Sequence, residues 1–223
     1  MSSSPSNLYS LVLTLVPTRE ATVGATAGHQ AHAAFLKTIQ EADAALAEAL
    51  HAPRPNAPNR PFTVSPLMGV GSARDGRVRL SPEQDYALRF TVLHPPIFER
   101  FMGRFLQGEG RPTVRLGGAL LLIKEILVTP GSHPWADYTS WAQLAAGAQP
   151  ASEITLDFVS PTAFGFGQKA WGKKVIVLPD PALVFGSLIR SWNGLAPAPL
   201  PVDKDALAAY LEEHVVVKRI ERL

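Results

Sequence analysis

Along roughly the first 130 residues the spacing of apolar side chains changes from every second position to every third or fourth and back again, twice. Leu8 to Val16 alternates, with Leu11, Leu13 and Leu15 on one face, as a strand against a core does. Thr18 to Ala27 is small and polar and reads as a loop. From Gly28 the period becomes helical, with His32, Phe35, Leu36 and Ile39 at i, i+3, i+4 and i+7. Asp43 is placed to cap a second helical piece carrying Leu46 and Leu50, which ends at His51 because Pro53 and Pro55 forbid continuation. After a Pro/Asn linker from Arg54 to Arg60, Phe62 to Val70 reads as a strand interrupted by Pro66, hence an edge or bulged strand. Gly71 to Gly76 reads as a turn, Arg77 to Leu80 as a short strand and Tyr86 to Leu93 as a longer one. Pro95-Pro96 opens a helix bearing Ile97, Phe98, Phe101, Met102 and Phe105. Strands at Thr113 to Leu116 and Ala119 to Val128 flank Gly117-Gly118, and Tyr138 to Ala146 is expected to be helical.

Strand, helix, strand, strand, helix, strand is the split βαβ order. The expected class is therefore α+β, with a ferredoxin-like (RRM-like) domain over residues 1–148. A second unit of the same kind, residues 149–223, is expected to be incomplete at its C-terminal side. It opens with apolar Ile154 to Val159, expected as a strand, followed by a basic, glycine-rich loop from Gly165 to Lys174 and a second apolar run from Val175 to Leu178. The two runs are expected to pair as a hairpin around that loop. Asp180-Pro181 then starts a helix with Leu183, Val184, Phe185, Leu188 and Trp192 along one stripe. A further helix from Asp203 to Glu213 and a last strand at His214 to Ile220 complete the expected elements. An unfinished sheet leaves an edge open to a partner.

The balance of 46% hydrophobic and 18% charged residues is that of a soluble globular protein. No cysteine is present, which excludes disulfides and thiolate-bound metals. No apolar run reaches membrane-spanning length, since Lys124-Glu125 interrupts the longest, and the polar N-terminus carries no export signal, so a cytoplasmic protein with no membrane partner is expected. The net charge is only +2, so a surface for an anionic partner has to come from local clusters. Two stand out. Lys169, Lys173 and Lys174 surround Trp171 in the loop of the second unit, a cationic and stacking-capable projection or a merely solvated tip. Five arginines (Arg54, Arg60, Arg74, Arg77 and Arg79) accompany a single acid, Asp75, between His51 and Arg79, which reads equally as a solvated turn or a phosphate track.

Histidine suits proton transfer near neutral pH. His51, at the carbonyl end of a helix where a cation is favoured and beside Arg54 and Arg60, is the first candidate. His32 shares a helical face with His29, although its place on the apolar stripe also fits a core or cleft-lining residue, and two histidines without a carboxylate make a poor metal site. His94, His133 and His214 all have local structural readings. No phosphate-binding lysine loop, dinucleotide fingerprint, serine-hydrolase elbow or HExxH motif is present, nor the aromatic signature of RNA-binding ferredoxin-like domains, and no cofactor or metal is expected.

One combination carries a resemblance: Ser160-Pro161-Thr162 before the basic loop, Leu178-Pro179-Asp180-Pro181, and Val184-Phe185 with Ser187-Leu188 and Trp192-Asn193. His133-Pro134-Trp135-Ala136 and Pro61-Phe62-Thr63-Val64-Ser65-Pro66-Leu67 add to it. In that order these segments resemble the CRISPR-associated endoribonucleases of the sixth Cas family, in the RAMP superfamily, over about Leu8 to Val217. The resemblance implies two ferredoxin-like domains that bind CRISPR repeat RNA and cut it without metal, leaving a 2′,3′-cyclic phosphate. It implies that the crRNA product stays bound in an effector complex with other Cas proteins. It places the catalytic histidine at His51, with His32 second, and RNA contacts at Arg54, Arg60, Lys169, Trp171, Lys173 and Lys174. Relatives usually continue to a glycine-rich loop near their C-terminus; Gly165-Phe166-Gly167 is similar in composition but stands elsewhere. A non-catalytic RNA-binding subunit is the competing expectation.

Overall fold

The computed structural model describes residues 7–52, 60–106, 111–160, 162–170, 172–198 and 203–221. These form two compact units, one from residues up to Ala52 and from Arg60 to Gln149, the other from Pro150 onward. None of the described helices is long and apolar enough to cross a membrane.

The first unit is built on β1 (Asn7–Pro17), whose Leu11, Leu13 and Leu15 are fully buried. It pairs antiparallel on one side with β5 (Tyr86–Val92) and on the other with β7 (Ala119–Leu127). β3 (Phe62–Val64) and β6 (Thr113–Leu116) close the two edges, giving the order β3-β5-β1-β7-β6. The short β8 (Asp137–Ser140) also pairs with β1, near its start. Two helices cover one face. They are α1 (Gly28–Ala42) and α3 (Pro95–Leu106), which join consecutive strands of the split βαβ pattern and pack on each other. Phe35 and Ile39 of α1 and Ile97 and Phe101 of α3 are buried against Leu88 and Phe90 of β5. Each such side chain contributes roughly 1.5–3 kcal/mol through burial.

The short helix α2 (Ala44–His51) follows α1 after a break at Asp43, whose carboxylate accepts from the Leu46 amide at 3.0 Å and also meets Arg100 of α3 at 3.1 Å. The stretch expected as a loop before α1 contains a strand, β2 (Ala21–Gly24), which pairs with β4 (Arg77–Leu80) as a separate ribbon. Tyr138 to Ser140, expected as helix, belong to β8; the helix α4 starts at Trp141 and runs to Gly147. A capping box sets that start, Ser140 and Gln143 each bonding the other's backbone amide.

In the second unit the expected basic loop is itself the hairpin, β9 (Phe164–Lys169) against β10 (Gly172–Ile176). Among the described residues Ile154 to Val159 carries no ladder, and Ile154, Leu156, Phe158 and Val159 are all exposed. Residues 215–220 likewise form no strand. The helix α5 (Pro181–Leu195) is capped by Asp180 with Pro181 at its first position, as expected, but its buried side chains are Val184 and Ile189 and Leu188 is exposed. It packs on α6 (Lys204–His214), which Asp203 caps. The chain is thus α+β and ferredoxin-like; among the described residues the sheet of the second unit has two strands, β9 and β10.

Phe35 touches Phe62, Phe90 and Phe101 with ring centroids 4.6, 5.1 and 5.2 Å away. Removing it empties the middle of this cluster. Phe35→Ala is expected to cost about 3–5 kcal/mol, read as a fall in the denaturant midpoint at constant slope. Phe105→Ala, at a half-buried position at the end of α3, is expected to cost less than half as much.

Candidate active site

The start of α1 lies in the open. Ala27 at its N-cap offers no side-chain acceptor and the first turn carries no acid, so the positive end of the helix is left for another anion. Gly28, His29 and His32 of this end and Arg60, two residues before β3, line an open pocket of about 400 Å³. No carboxylate is among the lining residues.

Arg60 donates from Nη1 to Nε2 of His32 at 2.9 Å. A guanidinium has no lone pair to offer, so Nε2 is the acceptor and the His32 proton sits on Nδ1. The imidazole is therefore neutral in this arrangement. Burial pushes its pKa below the ordinary 6.5, and the charges of Arg60, His29 and His51 act in the same direction. The ring also lies 5.3 Å from that of Phe62, which closes its apolar side. Among the described residues Arg60 has no carboxylate partner; its charge is oriented by a neutral ring and stays available.

His51 ends α2 and is exposed. It is close enough to act electrostatically on His32, although it does not line the pocket. His29, which shares a helical face with His32, does line it. The Arg60–His32 bond joins residues 28 positions apart across a proline-rich linker, and no local pattern reports such a contact. Arg54 and Trp171 lie outside the described residues, as do the side chains of Lys169 and Lys173. Lys169 and Lys173 stand on facing strands of the hairpin, and Lys174 beside them is exposed. The remaining histidines have structural surroundings. The His94 carbonyl accepts from Ile97 at the start of α3, His133 Nδ1 accepts from the Trp135 amide, and His214 lies by Glu213 and Tyr210.

The architecture is ferredoxin-like. Residues 7–146 match the family model of the CRISPR Cas6 N-terminal domain, and the chain belongs to the Cas6 family of CRISPR-associated endoribonucleases. Among solved structures it is similar to the Cas6 protein TTHB231 of Thermus thermophilus in a product complex, at 29% identity and a TM-score of 0.71 over 93% of this chain and 73% of that one. A product complex of the Cas6 protein TTHA0078 matches at 25% identity and a TM-score of 0.63, over 92% of this chain and 71% of that one. A RAMP protein that binds different RNA substrates, 12% identical with a TM-score of 0.59 over 88% of this chain and 75% of that one, shares the fold. No curated protein matches the chain.

The lowered pKa of His32 has a consequence for stability. Between the folded value and 6.5 the unfolded chain binds the proton that the folded chain refuses, so this contribution is complete above pH 6.5 and is lost as pH falls through that window. His32→Gln keeps an acceptor for Arg60 but cannot titrate. Thermal melts between pH 5 and 7.5 are expected to show a shallower acid loss for His32→Gln than for wild type, while His32→Leu, which strands Arg60, should be less stable than both at pH 7.5.

Proposed function

We propose that this protein binds CRISPR repeat RNA and cleaves it without a metal ion, by attack of a 2′-hydroxyl on the adjacent phosphate. The observation that carries the reading is the Arg60 guanidinium held on neutral His32 at the uncapped start of α1, a pocket built for a phosphate. The product complexes of two similar Cas6 proteins support it. In the reaction the 2′-oxygen forms its bond to phosphorus as its proton passes to a base, and the bond to the 5′-oxygen breaks as that oxygen takes up a proton. The products are a 2′,3′-cyclic phosphate and a 5′-hydroxyl. His51 serves as the general base or acid. His32 supports it by orienting Arg60, and Arg60 meets the charge of the phosphorane. His32 Nε2 is engaged by Arg60, which is why His51 rather than His32 carries the proton.

The first domain, residues 1–148, supplies this chemistry, and the second, 149–223, supplies the hairpin whose Lys169, Trp171, Lys173 and Lys174 hold the RNA together with Arg54. Retention of the crRNA would make the protein a subunit alongside other Cas proteins. One observation favours the non-catalytic reading, namely that His51 is exposed and outside the pocket.

Both readings meet in one assay with end-labelled repeat RNA in the presence of chelator. The expected result is a cyclic-phosphate product whose single-turnover rate falls about 10²–10⁴-fold in His51→Ala, with RNA affinity changed only a few-fold. Arg60→Ala is expected to weaken both steps. Tight binding with no cutting by wild type would establish the scaffold reading, and cutting by His51→Ala at the wild-type rate would remove His51 from the mechanism.

A further inference from the structure

The ribbon of β2 and β4 carries an arrangement that works against its own stability. β4 is entered through the tight turn Arg74-Asp75-Gly76-Arg77, with φ of 51° at Asp75 and 68° at Gly76, the left-handed pair that a two-residue hairpin turn requires. Arg74 and Arg77 exchange both backbone hydrogen bonds, at 2.8 and 2.9 Å. Residues so opposed point to the same face, and Arg79, two positions along β4, shares it. All three are exposed, while Val78 and Leu80 between and beyond them are buried and fix which face the arginines take. Across the ribbon stand only Gly24 and Thr22. Among the described residues none of the three has a carboxylate partner. Like charges directly opposed destabilise a strand pair, and an anionic chain laid along the face would relieve them. The side chains two apart on a strand are separated by ~6.7 Å, close to the spacing of neighbouring phosphates along an RNA strand.

The ribbon also leads to the pocket. The Ala25 amide donates to the Gly76 carbonyl at 2.8 Å, and residues 25–27 alone separate the end of β2 from Gly28 and His29 of the pocket lining. We infer that Arg74, Arg77 and Arg79 form a phosphate track for the single-stranded RNA that flanks the scissile phosphate. This rests on the cleavage reading above and extends its footprint along one strand.

The test uses the full chain and fully 2′-O-methylated repeat RNA, which 2′-hydroxyl attack cannot cut. Affinity is measured by anisotropy across a series of salt concentrations for wild type, Arg77→Gln/Arg79→Gln and Arg77→Lys/Arg79→Lys. Loss of two single-strand phosphate contacts should lower the slope of log affinity against log salt by about 1.4 and weaken binding about tenfold at low salt. The lysine pair should keep most of the slope. With RNAs ending at the mapped cut site, on the side where the flank was removed, wild type and the glutamine pair should bind alike. Equal slopes for wild type and the glutamine pair would overturn the track, as would a loss that persists on both shortened RNAs. Wild type that neither binds nor cuts repeat RNA would instead overturn the cleavage reading, and the track with it.

Discussion

The contact between Phe35 and Phe62 is the joint on which the site depends. Phe35 sits in the middle of α1 and Phe62 opens the edge strand β3, so their packing at 4.6 Å fastens that helix to that edge. Phe62 also closes on His32, one turn before Phe35, and stands two residues after Arg60. One buried pair therefore sets the positions of both partners in the Arg60–His32 bond. The polar contact inherits its geometry from the apolar one. This is the economical direction of control, since a bond between an arginine and a half-exposed imidazole contributes little against the entropy of fixing two side chains, whereas burying two phenylalanines contributes several kcal/mol.

The electrostatics follow from what is absent as much as from what is present. An arginine oriented by a carboxylate would be neutralised in place; oriented by a neutral imidazole it keeps its charge for a ligand. The amide end of α1 is left in the same condition by Ala27, which cannot cap it. The arginines of the neighbouring ribbon repeat the pattern on exposed strand. Three local arrangements of the first unit present positive charge with no acidic partner among the described residues, and the proposed reading assigns phosphate to each. Their coincidence explains how a chain with a net charge of only +2 can serve an RNA partner.

The first unit was legible because its core elements are long and strongly periodic. Leu11, Leu13 and Leu15, and the run from His32 to Ile39, declare strand and helix without help from tertiary structure. β2 was illegible because only Val23 of its four residues is buried, and its partner is more than fifty residues distant. A lone strand at Arg77 to Leu80 needed a partner, and that demand was the available signal. The start of α4 was written in Ser140 and Gln143, a capping box that the apolar pattern from Tyr138 obscured. At Ile154, Leu156 and Phe158 the alternation is that of a strand, but periodicity records only which side chains suit burial; a ladder also needs a neighbouring chain, and none bonds to these residues among those described. The pocket was half legible. Its histidines and its arginine could be picked by residue type, whereas the pairing that ties up His32 and leaves His51 apart is a contact between residues 28 positions apart.

The two principal histidines stand at helix ends of opposite sign. His32 lies near the amide end of α1, where the partial charge is positive, and His51 on the last turn of α2, where it is negative. The Asp43 cap, reached through the break between the helices, starts α2 and thereby sets where its carbonyl end falls. Cleavage by a 2′-hydroxyl needs one group that exchanges a proton and another that holds charge steady while it does so. In the proposed mechanism opposed helix ends divide these duties without any change of residue type: the imidazole at the positive end accepts from Arg60 and steadies it, and the one at the negative end is the group assigned to the proton. The break at Asp43 is what places the two histidines on separate helices.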